Sequence, residues 1–357
     1  MTCITTPGHG IVTDTLIMHG IVKLFHVDKV RRIGDRYEIC GDFSKMGEIV
    51  EIIKEELEEY SRNSNVARYS IYLGKILDSN INVSVTDSWL KSFAESLNEI
   101  KDVEKAYTED HKVRYKEGRS KSKALYNLYL PLGFIYGKYT VDNYDAVTKE
   151  YRVCGKCFSL SNLGLIFGTA IIRYISGNNA DVTLISLIPE DEMERDELLL
   201  IERFVEGKSE NINIELTLKS VLVYALSFGE TIYSFDSKVN ALVWRLEKSG
   251  NFQRALQPEI FDITSLLDKI ARLKSMSPDY TKILTLLVNK DYGDQSILDD
   301  LAEFLLFGGD YYSVIREITF FINRINRLND KVTKGIDLEK FANTFIELGK
   351  DKSLFLC

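Results

Sequence analysis

Histidine, cysteine and proline are scarce in this sequence. Four histidines in 357 residues leave little material for acid–base or metal chemistry. Five cysteines are few for a chain of this length, and an odd number cannot all form pairs. This count favours a reducing compartment over a disulfide framework. Five prolines, in a composition that is 45% hydrophobic and 27% charged, argue against disorder and low-complexity repeats. We therefore expect an ordinary globular protein.

Long hydrophobic runs are also missing. The longest apolar stretch, residues 163–172, is only about half as long as a membrane-spanning helix. The N-terminus has neither the cationic start nor the continuous apolar region of a secretory signal. The sequence therefore predicts a cytoplasmic protein with no membrane association.

Common catalytic motifs are absent: the Walker A loop, the G-x-S-x-G elbow, the H-E-x-x-H zinc helix and the G-x-G-x-x-G turn. The remaining candidates are His9, Asp14 and His19, whose side chains could serve a metal-dependent hydrolase. On one helix, Asp14 and His19 are separated by about 500° of rotation, so their side chains diverge. We favour a structural role, in which glycines around His9 form turns and Thr13 or Asp14 caps a helix. The sequence predicts a protein that is not an enzyme, with the hydrolase as the alternative.

The length predicts two domains. The helices and strands predicted within them indicate an α+β protein. The first domain, residues 1–257, is a mixed α/β region with antiparallel hairpins, and Gln257-Pro258 marks its end. Its predicted helices cover residues 11–25, 46–60, 87–107, 216–228 and 239–246. Its predicted strands cover residues 68–73 and 81–85, and residues 29–33 and 36–40, which form a hairpin around Gly34-Asp35.

The second domain, residues 258–357, is predicted to be an antiparallel helical bundle. Apolar residues recur there at three-and-four spacing, and short linkers separate the periodic segments. The five predicted helices cover residues 260–274, 279–289, 296–307, 311–328 and 337–349.

Positive charge is concentrated in the middle of an acidic chain. The net charge is -8, yet residues 111–157 carry ten basic and four acidic residues. Within that stretch, residues 111–123 read HKVRYKEGRSKSK, a flexible cationic segment that suits a phosphate backbone. The candidate nucleic-acid-binding residues are Lys112, Arg114, Lys116, Arg119, Lys121 and Lys123, with Tyr115 to stack on unpaired bases. The alternative is a solvated surface loop.

The predicted hairpin carries a second cationic group. Lys29, Arg31 and Arg32 lie on its first strand, and Arg36 begins its second. A two-stranded ribbon is narrow enough to enter a DNA groove, although hairpin arginines are also ordinary surface residues. By contrast, residues 189–197 read PEDEMERDE, and we expect them to form a solvated loop before a helix that begins near Leu198.

One pair of cysteines has a spacing that suits metal or redox chemistry. Cys154 and Cys157 stand in VCGKCF, and such a turn can hold two thiolates of a tetrahedral zinc site. A complete site needs four ligands, so Cys40, His111 or a partner chain would have to supply the rest. A reduced or disulfide-linked turn is the other interpretation, and no cofactor besides a structural zinc is expected. A zinc-stabilised adaptor without nucleic acid is a further alternative.

Together these features resemble a known family. The segment TPGHGIVTDTLIMHGIV at residues 6–22, the central CGKC, the basic segment and the helical C-terminal domain resemble the archaeal CRISPR-associated (Csa) large subunit of the type I-A Cascade complex. The resemblance spans nearly the whole chain. It implies a non-catalytic subunit of an RNA-guided antiviral complex that binds double- and single-stranded DNA, reads the short flanking motif and stabilises the R-loop. It also implies several partners: the guide RNA, the subunit at its 5′ end, the repeated backbone subunit, a small helical subunit and a separate helicase-nuclease that cleaves.

Overall fold

Helices and strands of a computed structural model follow one another along the chain in a mixed α+β order. The structure describes residues 2–43, 114–115, 125–127, 151–177, 179–205, 209–229, 235–249 and 252–351. In this part of the chain the strands form three sheets of four, six and three strands. The predicted combination of α and β elements, with a helical C-terminal region, is confirmed.

The first sheet contains the hairpin that the sequence predicted. β1 (Thr2–Thr5), β2 (His26–Ile33) and β3 (Arg36–Asp42) pair antiparallel in the order β1-β3-β2. Gly34 has a φ of 63° in the turn between β2 and β3, a conformation that costs glycine nothing. β9 (Glu192–Glu194) adds a fourth strand beside β2.

A disulfide joins two strands of this sheet. Cys3 of β1 and Cys40 of β3 are direct cross-strand partners and are bonded to each other. The odd and sparse set of cysteines did not predict this disulfide. Cys40 also cannot complete a zinc site, because its sulfur is already bonded to Cys3.

The second sheet forms the centre of the chain. Its strands are β7 (Ala170–Ser176), β8 (Asn179–Pro189), β10 (Ser209–Ile212), β11 (Val239–Ser249), β12 (Phe252–Ala255) and β13 (Glu259–Asp262). The order is β10-β7-β8-β11-β12, with β13 also on β11, and only β10 pairs parallel. β11 pairs with β8 along its full length.

Residues 239–246 are a strand, so the helix predicted there is wrong. All eight of these residues are buried, because β11 is covered on both faces. A strand buried on both sides loses the alternation of polar and apolar residues that distinguishes strands in a sequence.

The third sheet is small and lies beside the cysteine pair. β6 (Tyr151–Cys154) is its central strand, with β4 (Arg114–Tyr115) on one side and β5 (Leu125–Asn127) on the other, both antiparallel to it. The chain passes directly from β6 into the following helix.

Two helices pack against each other more closely than side chains would allow. α1 (Ile11–Leu24) and α2 (Gly155–Phe167) are buried almost throughout. A Cβ atom on Gly20 of α1 would lie 2.1 Å from the carbonyl oxygen of Leu160, and one on Gly164 of α2 would lie 1.8 Å from that of Leu16. The two backbones therefore touch where the helices cross. α1 confirms the helix predicted at residues 11–25.

The remaining helices agree well with the sequence pattern. α3 (Arg195–Val205) and α4 (Leu218–Ser227) lie in the mixed region. The five helices predicted after Pro258 are all present, as α5 (Thr264–Met276), α6 (Tyr280–Leu287), α7 (Gln295–Phe307), α8 (Tyr311–Leu328) and α10 (Leu338–Lys350), and a short α9 (Asp330–Thr333) is added. The first begins at Thr264, because residues 259–262 pair with β11. The antiparallel bundle arrangement of these helices remains a prediction.

Polar contacts attach the C-terminal helices to the sheet region. Thr217, the residue that caps α4, donates its hydroxyl to Asp299 of α7 at 2.7 Å. Lys219 of α4 forms an ion pair with Glu303 at 2.6 Å. Within the helical region itself, the buried Lys269 of α5 donates to the carbonyl oxygen of Leu305 in α7 at 2.8 Å. The helical region is therefore tied to α4.

Some predicted elements lie outside the described residues: the helices at 46–60 and 87–107 and the strands at 68–73 and 81–85. No helix in the described part of the chain is long and apolar enough to cross a membrane.

The contact between α1 and α2 predicts a large effect of one methyl group. Gly164→Ala should lower the free energy of unfolding by about 3 kcal/mol, because the new Cβ meets backbone that cannot rotate away. Gly177→Asn is the control, since nothing lies within 4 Å there and asparagine tolerates its φ of 59°. Urea denaturation of both variants measures the difference, and equal losses would contradict the close contact.

Candidate nucleic-acid interface and the His9 loop

Two of the four hairpin cations are paired with carboxylates of the same chain. Lys29 Nζ lies 3.0 Å from Glu192 Oε2, and Arg31 Nη2 lies 2.7 Å from Glu38 Oε2. Glu192 belongs to β9, which occupies the edge of β2. The hairpin is therefore not the isolated two-stranded ribbon that the sequence suggested, because an acidic strand lies beside it.

The tip of the hairpin carries two arginines in a different situation. Arg32 donates its Nε–H to the carbonyl oxygen of Gly34 at 3.0 Å, and Arg36 is exposed. Within the described ranges, neither guanidinium has a carboxylate within 4 Å. Arg36 also packs on the N-terminal loop, since a Cβ on Gly8 would lie 2.3 Å from Arg36 Nη2. The two hairpin cations that no described carboxylate neutralises, Arg32 and Arg36, thus lie at the tip.

The acidic segment at residues 189–197 is structured, so the expected solvated loop is wrong. It contains the end of β8, the strand β9 and the start of α3. Glu197 accepts hydrogen bonds from the backbone N–H of Ser237 at 2.8 Å and from its hydroxyl at 2.7 Å. These carboxylates bind groups of the protein itself, which a pattern of charge alone does not reveal.

Most of the basic segment lies outside the described residues. Arg114 and Tyr115 form β4, with Arg114 opposite Arg152 and Tyr115 opposite Tyr151 on β6. The other candidate residues are not described: Lys112, Lys116, Arg119, Lys121 and Lys123. The structure adds that β4, within this segment, and β5, which begins at Leu125 just after it, belong to the same small sheet.

The loop before α1 is built around Asp14. Gly8 and Gly10 have φ values of 91° and 103°, which confirms the turns predicted around His9. Asp14 is buried and accepts the backbone N–H of Gly8 at 2.8 Å. Burial raises the pKa of Asp14 to about 6, although hydrogen bonds from Thr6, Gly8 and His9 and the charge of Arg36 act in the opposite direction. The Asp14 carboxylate thus holds the loop before α1 by accepting a hydrogen bond from its backbone.

His9, Asp14 and His19 do not form a joint site. His9 Nε2 lies 3.3 Å from Cys157 Sγ, whereas Asp14 binds the loop backbone. His19 is buried against Gly168 and the backbone of Leu187, and burial lowers its pKa to about 4, so the ring is neutral. No group of three metal-ligating side chains occurs among the described residues. The hydrolase alternative is therefore wrong in its proposed geometry.

The cysteine turn lies at the start of α2. Cys154 precedes the first residue of the helix and Cys157 lies in its first turn, with the two sulfurs 3.6 Å apart. His9 contacts Cys157, but His9, Cys154 and Cys157 do not form a group that could hold a metal ion. Nothing in the sequence signals this contact, because 148 residues separate His9 from Cys157. Zinc at this turn would need ligands beyond those that the structure describes.

Comparison with known proteins identifies the family. The model of the CRISPR-associated protein family Cas_Csa4 matches residues 2–331. The chain belongs to this family. It is also 35% identical over 367 residues to the "CRISPR system associated protein Cas8" of Thermoproteus tenax, which covers 96% of this chain and 98% of that protein. The resemblance to the archaeal CRISPR-associated Cascade large subunits is thereby confirmed. The match extends through both the N-terminal loop and most of the C-terminal helices.

The buried Asp14 of this Cas_Csa4 protein predicts a specific pH dependence. Its folded pKa of about 6 lies above the ordinary value of 3.8, so the folded state holds the proton more tightly. Stability from this group is present at low pH and is lost as the pH rises from about 4 to about 6. The free energy of unfolding of Asp14→Asn, relative to that of wild type, should therefore increase by about 3 kcal/mol between pH 4 and pH 7. Urea denaturation across that range measures the gain.

The matched control for this prediction is Asp35→Asn, an exposed aspartate in the hairpin turn. A difference between wild type and Asp14→Asn that does not vary with pH, or that Asp35→Asn reproduces, would contradict the assignment.

Proposed function

We propose that this chain is the large subunit of an RNA-guided DNA surveillance complex, and that it binds target DNA without breaking bonds itself. The observation that carries the proposal is the family match over residues 2–331. In such a complex, base pairing reads the target sequence and the protein contacts the DNA backbone and the short flanking motif. Its partners are then the guide RNA, the other Cascade subunits and a separate helicase-nuclease.

The basic segment at residues 111–123 is the proposed contact with the DNA backbone. Its charge contrasts with a chain whose net charge is -8, which makes it the natural place for a polyanion. Within it, Arg114 and Tyr115 form β4 and pair with Arg152 and Tyr151 of β6. Arginine and lysine bind phosphates, and tyrosine can stack on unpaired bases.

The tip of the hairpin is the proposed contact with the flanking motif. Lys29 and Arg31 already hold carboxylates, whereas the guanidinium groups of Arg32 and Arg36 have hydrogen-bonding capacity beyond the contacts described above. Arginine binds the edge of guanine with two hydrogen bonds in the major groove. Both residues lie near the turn at Gly34, beyond Arg31, where the pairing of β2 with β9 ends.

Removal of the basic segment tests the backbone contact. Lys116, Arg119, Lys121 and Lys123 are replaced together by alanine in the full chain. Affinity for labelled single- and double-stranded DNA should fall equally for all sequences, and the salt slope should flatten by about 0.7 to 0.9 for each lost phosphate contact. Fluorescence polarisation at several salt concentrations gives both quantities.

A charge-matched control separates a local contact from a general loss of positive charge. Four exposed lysines of the helical region are replaced by alanine instead: Lys290, Lys331, Lys334 and Lys340. If this control flattens the slope as much as the first variant, or if neither variant changes it, residues 111–123 are not the contact.

Substitutions at the hairpin tip test motif reading. In the complex assembled with guide RNA, Arg32→Ala and Arg36→Ala should each reduce discrimination within a library of randomised flanking motifs by about tenfold. Arg31→Ala is the matched control, because Arg31 lies on the same strand and is paired with Glu38. Equal loss on every motif would assign the two arginines to the backbone, and an equal effect of Arg31→Ala would remove the tip from the proposal.

A further inference from the structure

The cysteine turn combines a half-buried cysteine with a fully buried one. Cys154 is half-buried, whereas Cys157 has no exposed surface. Cys154 ends β6 and Cys157 lies three residues later in the first turn of α2, so the strand leads straight into the helix that carries both thiols. Their sulfurs are 3.6 Å apart, and rotation about the Cα–Cβ bonds can close that gap to a disulfide.

Two contacts distinguish the surroundings of the two sulfurs: the start of a helix at Cys154 and a histidine beside Cys157. Cys154 occupies the capping position of α2, and its side chain makes no capping hydrogen bond. The positive end of the helix dipole favours negative charge at this position. The start of α1 lies nearby, because His9, just before α1, contacts Cys157. His9 Nε2, at 3.3 Å, is placed to take the proton of the Cys157 thiol.

We propose that Cys154 and Cys157 are a reversible dithiol–disulfide pair that exchanges with small disulfides, with Cys154 as the attacking thiol, Cys157 as the resolving thiol and His9 as its proton acceptor. The inference rests on the described turn alone and does not depend on DNA binding.

The exchange has two steps. The Cys154 thiolate attacks one sulfur of a small disulfide, which forms a mixed disulfide and releases one thiolate. His9 then takes the proton from Cys157, whose thiolate attacks the Cys154 sulfur and releases the second thiolate. The two protons lost by the cysteines end on the two released thiols. Two electrons pass from the cysteine pair to the small disulfide, which is the oxidant.

Oxidation changes the contacts of the N-terminal loop. Once Cys157 is bonded to Cys154, it has no proton to share with His9, so the thiol can no longer donate a hydrogen bond to the loop. The same loop holds Gly8, on which the Arg36 guanidinium packs, and binds Asp14 through the Gly8 N–H. The redox state of the pair is therefore coupled to the position of this loop beside the hairpin tip.

The test uses full-length protein in which Cys357 is replaced by serine in every sample, so that the C-terminal thiol does not contribute. Each sample is incubated with glutathione disulfide, quenched by alkylation and analysed by peptide mass spectrometry. The wild-type pair should form the Cys154–Cys157 disulfide. Cys157→Ser should stop at a stable glutathione adduct on Cys154, and Cys154→Ser should leave Cys157 unreacted because it is buried.

The role of His9 is tested by the rate of the second step. His9→Gln should lengthen the lifetime of the mixed disulfide by about tenfold, since a resolving thiol whose pKa rises by one unit has about tenfold less thiolate. His26→Gln is the matched control, an exposed histidine in β2 that lies beside Asp28. Thermal denaturation of each variant shows that it is folded.

Several outcomes would overturn the proposal. These are an unreactive wild-type pair in folded protein, an adduct on Cys157 before Cys154, and equal lifetimes for His9→Gln and His26→Gln. Stoichiometric zinc in protein purified without metal-affinity chromatography, with thiols that react only after chelation, would also replace it with a structural metal site.

Discussion

The contact of α1 and α2 through Gly20 and Gly164 determines how the N-terminal half is arranged. At the crossing, the backbone of each helix occupies the space that a side chain of the other would need. His9 meets Cys157 near the start of both helices, and His19 meets Gly168 near their ends, so the two helices run in the same direction. Because both are buried on all sides, their polar groups must find partners inside the protein.

That requirement explains the buried polar residues near the crossing. Asp14 binds the Gly8 N–H, the Thr15 and Tyr37 hydroxyls bind each other at 2.8 Å, and Thr169 binds Ser186 at 2.9 Å. None of these contacts needs a ligand to explain it. Asp14 and Thr15, two polar residues of the N-terminal motif that carried the family resemblance, therefore have a structural role.

What the sequence could predict depends on how much of each element is exposed. α8 and α10 have one buried face and one exposed face, so their periodicity located them closely, and the hairpin was located by Gly34 in its turn. β11 and α2 are buried on all sides, so the polar and apolar residues in their sequences do not recur with the period of a strand or a helix. Contacts between distant segments were out of reach: no spacing rule links Lys29 to Glu192 or His9 to Cys157.

Charge was informative at the scale of segments but not of single residues. The count of lysines and arginines drew attention to the hairpin, yet half of its four cations neutralise carboxylates of their own sheet. For the proposed function this pairing has a physical consequence. An acidic surface repels DNA in most orientations, so the remaining cations at the hairpin tip and in residues 111–123 would attract it in only a few. A net charge of -8 then disfavours approaches in which phosphate faces carboxylate.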